Sequence, residues 1–135
     1  AASDVYKRQI MHSNNAQIMK GVEAVLATGA RRVVMLGTAF KEHVDDLRES
    51  PALAVAAQLV RHEIDVKAHD FAYAKGEALL LPKVDQTLPI LTLDEVEANA
   101  EAIVLMHRRD EYFTLAEQLE VKGIAVVDLT TTLAS

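Results

Sequence analysis

The chain has 135 residues, half of them apolar, which suffices for one hydrophobic core and is too short for two ordinary domains. Its net charge of −6 argues against a nucleic-acid surface, although a local pair of cations could still hold one phosphorylated ligand. The absence of cysteine excludes a disulfide framework, a thiolate metal site and a cysteine nucleophile. With no signal peptide and no apolar run of about 18 residues, we expect a cytoplasmic protein without a membrane partner.

The amino-terminal part divides into a leader and a helix. Residues 1–9 have no periodicity, and we expect them to be non-native or disordered sequence outside the fold. Apolar residues recur at helical spacing from Ser13 to Thr28, and Gly29 follows as a helix stop. We therefore predict a linker helix within residues 10–29 and a folded domain over residues 30–135.

Apolar segments of strand character alternate with capped helical segments through the rest of the chain. The predicted strands are Arg32–Leu36, Asp65–His69, Ala102–Met106 and Val121–Asp128. The predicted helices run from Pro51 to His62, from Thr92 or Asp94 to Ala100, and from Asp110 to Glu120, with a further short helix near Ala72–Leu80. This alternation predicts an α/β fold with an open parallel sheet and helices on both faces.

The connection after the first strand is about twice the usual two to six residues. Gly37 ends the strand, Ser50 is a good helix N-cap, and Pro51 suits the first helical position. A long loop at the carboxyl end of a parallel strand indicates a binding site.

This loop carries a long ordered motif, Gly37-x-Ala39-Phe40-Lys41-x-x-x-Asp45-Asp46-x-Arg48-Glu49-Ser50-Pro51. The motif resembles the signature that opens the C-terminal domain of the UDP-glucose/GDP-mannose dehydrogenase family, and it is most similar to the GDP-mannose branch. Thr38 and Val44 depart from the family pattern. The resemblance covers about Ser13 to Asp128, which corresponds to the last third of a full family member.

The resemblance implies a Rossmann-like domain that binds a nucleotide-sugar, GDP-mannose or UDP-glucose, in an NAD-dependent 6-dehydrogenase. In that family NAD and the catalytic cysteine belong to N-terminal and central domains, so the isolated chain is expected to be inactive. Full-length relatives form homo-oligomers. The rival interpretation is a stand-alone α/β binding or interaction module that has lost catalysis.

The resemblance also implies which side chains bind the nucleotide-sugar. Phe40 and Lys41 should line the pocket, with the lysine ammonium near the phosphates or the sugar. Arg48 has two possible roles, contact with the ligand or ordering of the loop, because three acids surround it and its five donors can bridge them. Those loop-ordering acids are Asp45, Asp46 and Glu49.

One expected contact has no counterpart in the sequence. Family members carry an arginine shortly after the last strand, whereas Asp128 is followed by Leu129-Thr130-Thr131-Thr132. Arg108 and Arg109 follow the third predicted strand at its carboxyl end, on the same edge of the sheet as Lys41. Their location makes them candidates to replace the missing arginine.

Other chemical patterns are less well supported. Asp70 ends a strand where a dinucleotide-binding fold places its ribose-binding acid, but no G-x-G-x-x-G motif occurs, so we interpret Asp70 as a turn residue and expect no NAD in this domain. The five histidines lack the spacing of a metal site, so no metal is expected. A hydrolase triad of Ser50, His43 and Asp46 is disfavoured because no nucleophile elbow is present.

Overall fold

The computed structural model describes residues 16–38 and 51–130. Their elements are, in chain order, α1 (residues 16–27), β1 (Arg32–Leu36), α2 (Pro51–Arg61), β2 (Asp65–His69), β3 (Ala78–Leu80), β4 (Thr87–Pro89), α3 (Leu93–Asn99), β5 (Ala102–Leu105), α4 (Asp110–Val121) and β6 (Ala125–Asp128). The main sheet has the order β2-β1-β5-β6, and every pairing in it is parallel. The predicted open parallel α/β sheet is confirmed.

The central strand β1 is buried on both faces because helices cover each side of the sheet. Val33 and Met35 point into a core formed with α1 and α2, whereas Val34 and Leu36 point into a second core formed with α3 and α4. All four side chains have 0% exposure. This two-sided burial explains the continuous apolar run, since no position of the strand faces water.

The helix starts follow the capping residues of the sequence. Helix α2 begins at Pro51, as predicted. Helix α3 has Thr92 as its N-cap, whose backbone N–H donates to Glu95 Oε1 at 2.9 Å.

Of the amino-terminal predictions, the leader 1–9 lies outside the described residues, and the domain boundary at residue 30 stays a prediction.

The predicted helix at Ala72–Leu80 is wrong. The chain forms turns there and then enters β3, which pairs with β4 as an antiparallel hairpin. Leu79 is buried at 8% exposure while Leu80 is 74% exposed, the alternation of a strand with one face on the core. Gly76, with φ of +92°, turns the chain just before the hairpin.

The last strand was predicted to start too early. Val121 is the final residue of α4 and is 90% exposed, and β6 begins only at Ala125. Gly123 lies between the two elements and has a φ of +93°. Glycine adopts this conformation readily, and it commonly ends a helix.

No helix within residues 16–38 or 51–130 combines the length and the apolar character needed to cross a membrane.

Candidate functional site

The strand order creates a switch point between β1 and β5. From β1 the chain continues through α2 on one face of the sheet to β2, while from β5 it continues through α4 on the other face to β6. In open α/β sheets, ligands bind outside the carboxyl ends of the strands at such a point. The carboxyl ends of β1 and β5 therefore define the candidate site.

Two residues meet at this switch point. Gly37 follows β1 with φ of +100°, and a Cβ atom there would lie 2.4 Å from His107 Cγ. The His107 backbone N–H donates to the Leu36 carbonyl at 3.3 Å, which keeps the imidazole next to the β1 turn. Only glycine fits at position 37, because it provides both the conformation and the space for the ring.

Asp70 ties the end of β2 to the end of β1. Its Oδ2 atom accepts a hydrogen bond from the Thr38 N–H at 2.9 Å and another from the Thr38 hydroxyl at 2.6 Å. Its Oδ1 atom accepts from the Ala72 N–H at 2.8 Å, and the residue is only 5% exposed. The interpretation of Asp70 as a strand-end turn residue is confirmed, since both carboxylate oxygens are engaged within the protein.

An aromatic cluster lies beside Asp70. His69 Nδ1 is 2.9 Å from the Tyr112 hydroxyl, and that hydroxyl is 3.3 Å from the His69 carbonyl oxygen, to which it donates. The Phe71 ring meets the His69 ring edge-on at 4.6 Å and stacks on Tyr112 at 5.4 Å between centroids. We call His69, Phe71 and Tyr112 the aromatic cluster.

Burial sets the protonation of this cluster. It lowers the pKa of His69, an effect that the nearby Asp70 carboxylate opposes and the Arg109 guanidinium reinforces. Burial also raises the pKa of Tyr112, so its phenol remains protonated and able to donate.

Arg109 packs on the outer side of this cluster. Its Cζ atom lies 4.2 Å from the centroid of the Phe71 ring, within the range of a cation–π contact. Arg109 Nη2 is 3.6 Å from Glu111 Oε2. The adjacent Arg108 is exposed. Arg109 follows β5, which pairs with β1 in parallel, so it lies on the edge where β1 ends, as predicted. Its contact with Phe71 agrees with this placement, since Phe71 follows Asp70, which binds Thr38.

The residues predicted to bind the nucleotide-sugar lie outside the described residues. They are Phe40, Lys41 and Arg48, together with the loop-ordering residues Asp45, Asp46 and Glu49. Their assigned roles stay predictions. The described residues nearest to this segment in sequence are Thr38, which precedes it, and Pro51, which follows it.

Sequence reasoning missed the aromatic cluster and the role of Thr38. Thr38 was noted only as a departure from the family pattern. The available signal was the pairing of a hydroxyl residue after one strand with an acid after the neighbouring strand.

Within the described ranges, no three His, Asp or Glu side chains lie close enough to share a metal ion. The Tyr112 hydroxyl and His69 Nδ1 are buried and hydrogen-bond to each other within the protein. The Arg109 guanidinium is only half-buried and is suited to binding an oxygen-rich, anionic ligand.

Comparison with known proteins identifies the family of this chain. The profile described as UDP-glucose/GDP-mannose dehydrogenase family, UDP binding domain, matches residues 34–134. The chain therefore belongs to the UDP-glucose/GDP-mannose dehydrogenase family, as its signature predicted.

The individual relatives are GDP-mannose and UDP-glucose 6-dehydrogenases. The chain is 31% identical over 128 residues to GDP-mannose 6-dehydrogenase of Pseudomonas putida, covering 89% of this chain and 29% of that protein. It is 32% identical to the Azotobacter vinelandii protein of the same name, with the same coverage. It is also 37% identical over 79 residues to UDP-glucose 6-dehydrogenase of Pseudomonas aeruginosa, covering 56% of this chain and 17% of that protein.

A solved structure shares the fold. The crystal structure of a ternary complex of GDP-mannose dehydrogenase from Pseudomonas aeruginosa superposes with a TM-score of 0.72 at 27% identity, covering 93% of this chain and 30% of that one. The chain spans 29% of the length of each GDP-mannose 6-dehydrogenase named above.

Proposed function

We propose that this chain is the nucleotide-sugar-binding C-terminal domain of an NAD-dependent nucleotide-sugar 6-dehydrogenase. The observation that carries the proposal is the match of residues 34–134 to the family's UDP binding domain, with the first residue of the signature motif, Gly37, directly after β1 at the switch point of the sheet. GDP-mannose is the preferred ligand, because GDP-mannose 6-dehydrogenases are among the relatives and the motif is most similar to that branch. UDP-glucose is the second candidate.

We propose that the domain binds the nucleotide-sugar and orients it. Lys41 would neutralise a phosphate of the nucleotide-sugar and Phe40 would provide an apolar wall, while Arg48 would contact the ligand or hold the three loop acids in place. The sugar C6 hydroxyl would then be presented to residues outside this domain. The complete reaction oxidises that alcohol to the acid.

NAD, bound by another domain of the full enzyme, would accept the hydride. The acid at the end of β2, which would hold a ribose in a dinucleotide-binding fold, has both oxygens committed to Thr38 and Ala72. Asp70 is therefore not available as the ribose-binding acid of an NAD site, which supports the assignment of NAD to another domain. We propose that the full enzyme is a cytoplasmic homo-oligomer.

One observation favours a second candidate, a stand-alone α/β binding or interaction module without catalysis. Residues 129–135 contain no arginine, and the Asp128 carboxylate accepts hydrogen bonds from the Thr130 N–H at 2.9 Å and from the Thr130 hydroxyl at 2.6 Å. Asp128 and Thr130 thus bind each other at the point where a ligand contact would be expected.

Thermal-shift titrations with GDP-mannose, GDP and UDP-glucose separate the two candidates. A ligand present at about 100 times its dissociation constant stabilises the folded state by about 2.7 kcal/mol, which is readily measured as a rise in melting temperature. Saturable stabilisation by GDP-mannose, with GDP weaker and free mannose inert, supports the nucleotide-sugar-binding domain. Absence of stabilisation by all three nucleotides rejects it in favour of the interaction module.

A further inference from the structure

The Arg109 guanidinium is oriented by its surroundings. Arg109 lies two residues after His107, whose ring contacts Gly37, and its guanidinium lies 4.2 Å from the centroid of the Phe71 ring. Phe71 follows Asp70, which binds Thr38. Arg109 thus contacts the group of side chains that joins the carboxyl ends of β1, β2 and β5.

One donor of this guanidinium has no partner within residues 16–38 and 51–130. Among the residues that the structure describes, Arg109 Nε is the single buried side-chain nitrogen or oxygen without a hydrogen bond. Buried donors in folded proteins are almost always paired, so an unpaired one calls for a specific explanation. An acceptor that comes from a ligand provides that explanation, because the atom lies at the edge of the sheet where this fold binds ligands.

The neighbouring acids do not satisfy this donor. Glu111 reaches Nη2 rather than Nε, and its 3.6 Å separation is well beyond the 2.7–2.9 Å typical of a charge-assisted hydrogen bond. The pKa of Glu111 is lowered first by its own backbone N–H and to a lesser extent by Arg109, whose contact with Glu111 is made through Nη2. Asp70 is occupied by Thr38 and Ala72. The guanidinium therefore retains donors that are free for a ligand.

We propose that Arg109 is a phosphate-binding residue of this domain, whose Nε and neighbouring Nη donate to the oxygens of a diphosphate. The proposal rests on the proposed function in one respect, since it names the diphosphate of the nucleotide-sugar as the group that is bound. Phe71 is the positioning residue, because its ring lies 4.2 Å from the guanidinium carbon and supports one face of the guanidinium. A planar pair of N–H donors matches two phosphate oxygens, whereas a lysine ammonium offers only a point charge.

Arg31 provides a matched control. It is an exposed arginine that precedes β1, at the opposite end of the strand from the candidate site. Arg109→Lys keeps the charge and removes the bidentate geometry, so GDP-mannose affinity measured by calorimetry should fall about tenfold or more. Arg31→Lys should change the affinity less than twofold. Phe71→Leu should weaken binding with Arg109 present, because the guanidinium loses its support.

A second measurement observes the donor directly. In a ¹⁵N–¹H spectrum of the wild-type chain, the Arg109 Nε–H signal is identified as the one lost in Arg109→Lys. GDP-mannose, GDP and inorganic pyrophosphate should each shift that signal in a saturable way. Melting curves of each variant show whether a loss of affinity accompanies a loss of fold. If a variant does not fold, the wild-type spectrum decides the matter, with the Arg109 Nε–H signal assigned through its bonds to the Arg109 backbone.

The outcomes separate this inference from the proposed function. If GDP-mannose binds while the Nε–H signal stays still and Arg109→Lys keeps its affinity, the role of Arg109 is overturned and the proposed function stands. If pyrophosphate shifts the signal while no nucleotide-sugar binds, the proposed function is overturned and Arg109 remains an anion-binding residue. If no phosphate compound binds or shifts the signal, both are overturned.

Discussion

The Asp70 carboxylate holds Thr38 by two hydrogen bonds, 2.9 Å from its backbone nitrogen and 2.6 Å from its hydroxyl oxygen. These residues are 32 positions apart in the chain and end adjacent parallel strands. The contact fixes Thr38, the second position of the signature motif.

Asp70→Ala should destabilise the fold. It leaves the buried N–H of Thr38 without this acceptor, and an unsatisfied buried group costs about 1–3 kcal/mol. Urea denaturation measures the loss. Asp65→Ala is the control, since its carboxylate makes a largely exposed pair with Lys67 at 2.9 Å, and such pairs contribute about 0.2–1 kcal/mol. Equal losses in the two variants would contradict a special role for Asp70.

Gly37→Ala should be more harmful than Gly123→Ala. Both glycines have positive φ, +100° and +93°, so each alanine carries a conformational cost of about 1–2 kcal/mol. Only at Gly37 would the new Cβ meet a ring, 2.4 Å from His107 Cγ, whereas nothing lies within 4 Å at Gly123. Overpacking adds about 1–3 kcal/mol, which the difference in unfolding free energy should show. A Gly37→Ala variant as stable as Gly123→Ala would disprove the close contact.

His69 should make folding stability depend on pH. Burial lowers its pKa in the folded state, so the unfolded chain binds the proton more readily. Its contribution is present above the unfolded value of about 6.5 and is lost as the pH falls through the folded pKa. The unfolding free energy of the wild type should therefore fall from pH 7.5 to 5 more steeply than that of His69→Gln. Parallel pH profiles for the two proteins would refute this assignment.

Lys41→Glu should weaken nucleotide-sugar binding much more than it weakens the fold. Loss of a charge-assisted hydrogen bond costs about 1.5–3 kcal/mol, so the affinity should drop at least about tenfold. An exposed charge reversal changes stability by only about 0.5 kcal/mol. Lys20→Glu, an exposed lysine of α1, is the control and should change neither quantity. Unchanged affinity in Lys41→Glu would remove Lys41 from the site.

Arg48→Ala should reduce both affinity and melting temperature. Removing the guanidinium leaves Asp45, Asp46 and Glu49 to repel one another just before α2, where like charges are mutually destabilising. Calorimetric titration and a thermal melt test the two effects separately. A melt identical to that of the wild type would show that Arg48 does not order the loop.

Most of the main sheet was predictable because β1 and β5 are buried on both faces. β1, β2 and β5 follow apolar or alternating runs whose ends agree with the structure to within one residue. The β3–β4 hairpin was not predictable, because each strand has only three residues and Gly76, Pro82 and Pro89 break any longer period. The start of β6 was misjudged because Val121 is apolar although it lies exposed on α4.

The site was only partly predictable, for a related reason. The signature is contiguous in sequence and could be recognised from its own residues. The contact between His69 and Tyr112 joins residues 43 positions apart, so it arises from the packing of α4 on the sheet and leaves no local pattern. The packing of Arg109 on Phe71 is equally dependent on tertiary structure.

The β3–β4 hairpin also determines where the main sheet can accept another strand. Ile90 bridges to Ala68 in parallel, and the Leu91 N–H donates to the Ala68 carbonyl at 2.7 Å, so the outer edge of β2 is partly occupied. At the opposite end, β6 pairs with β5, and no strand among residues 16–38 and 51–130 pairs with its other side. Exposed strand edges are templates for pairing with another chain. Strand addition to the main sheet, including the kind that starts aggregation, is therefore directed to β6.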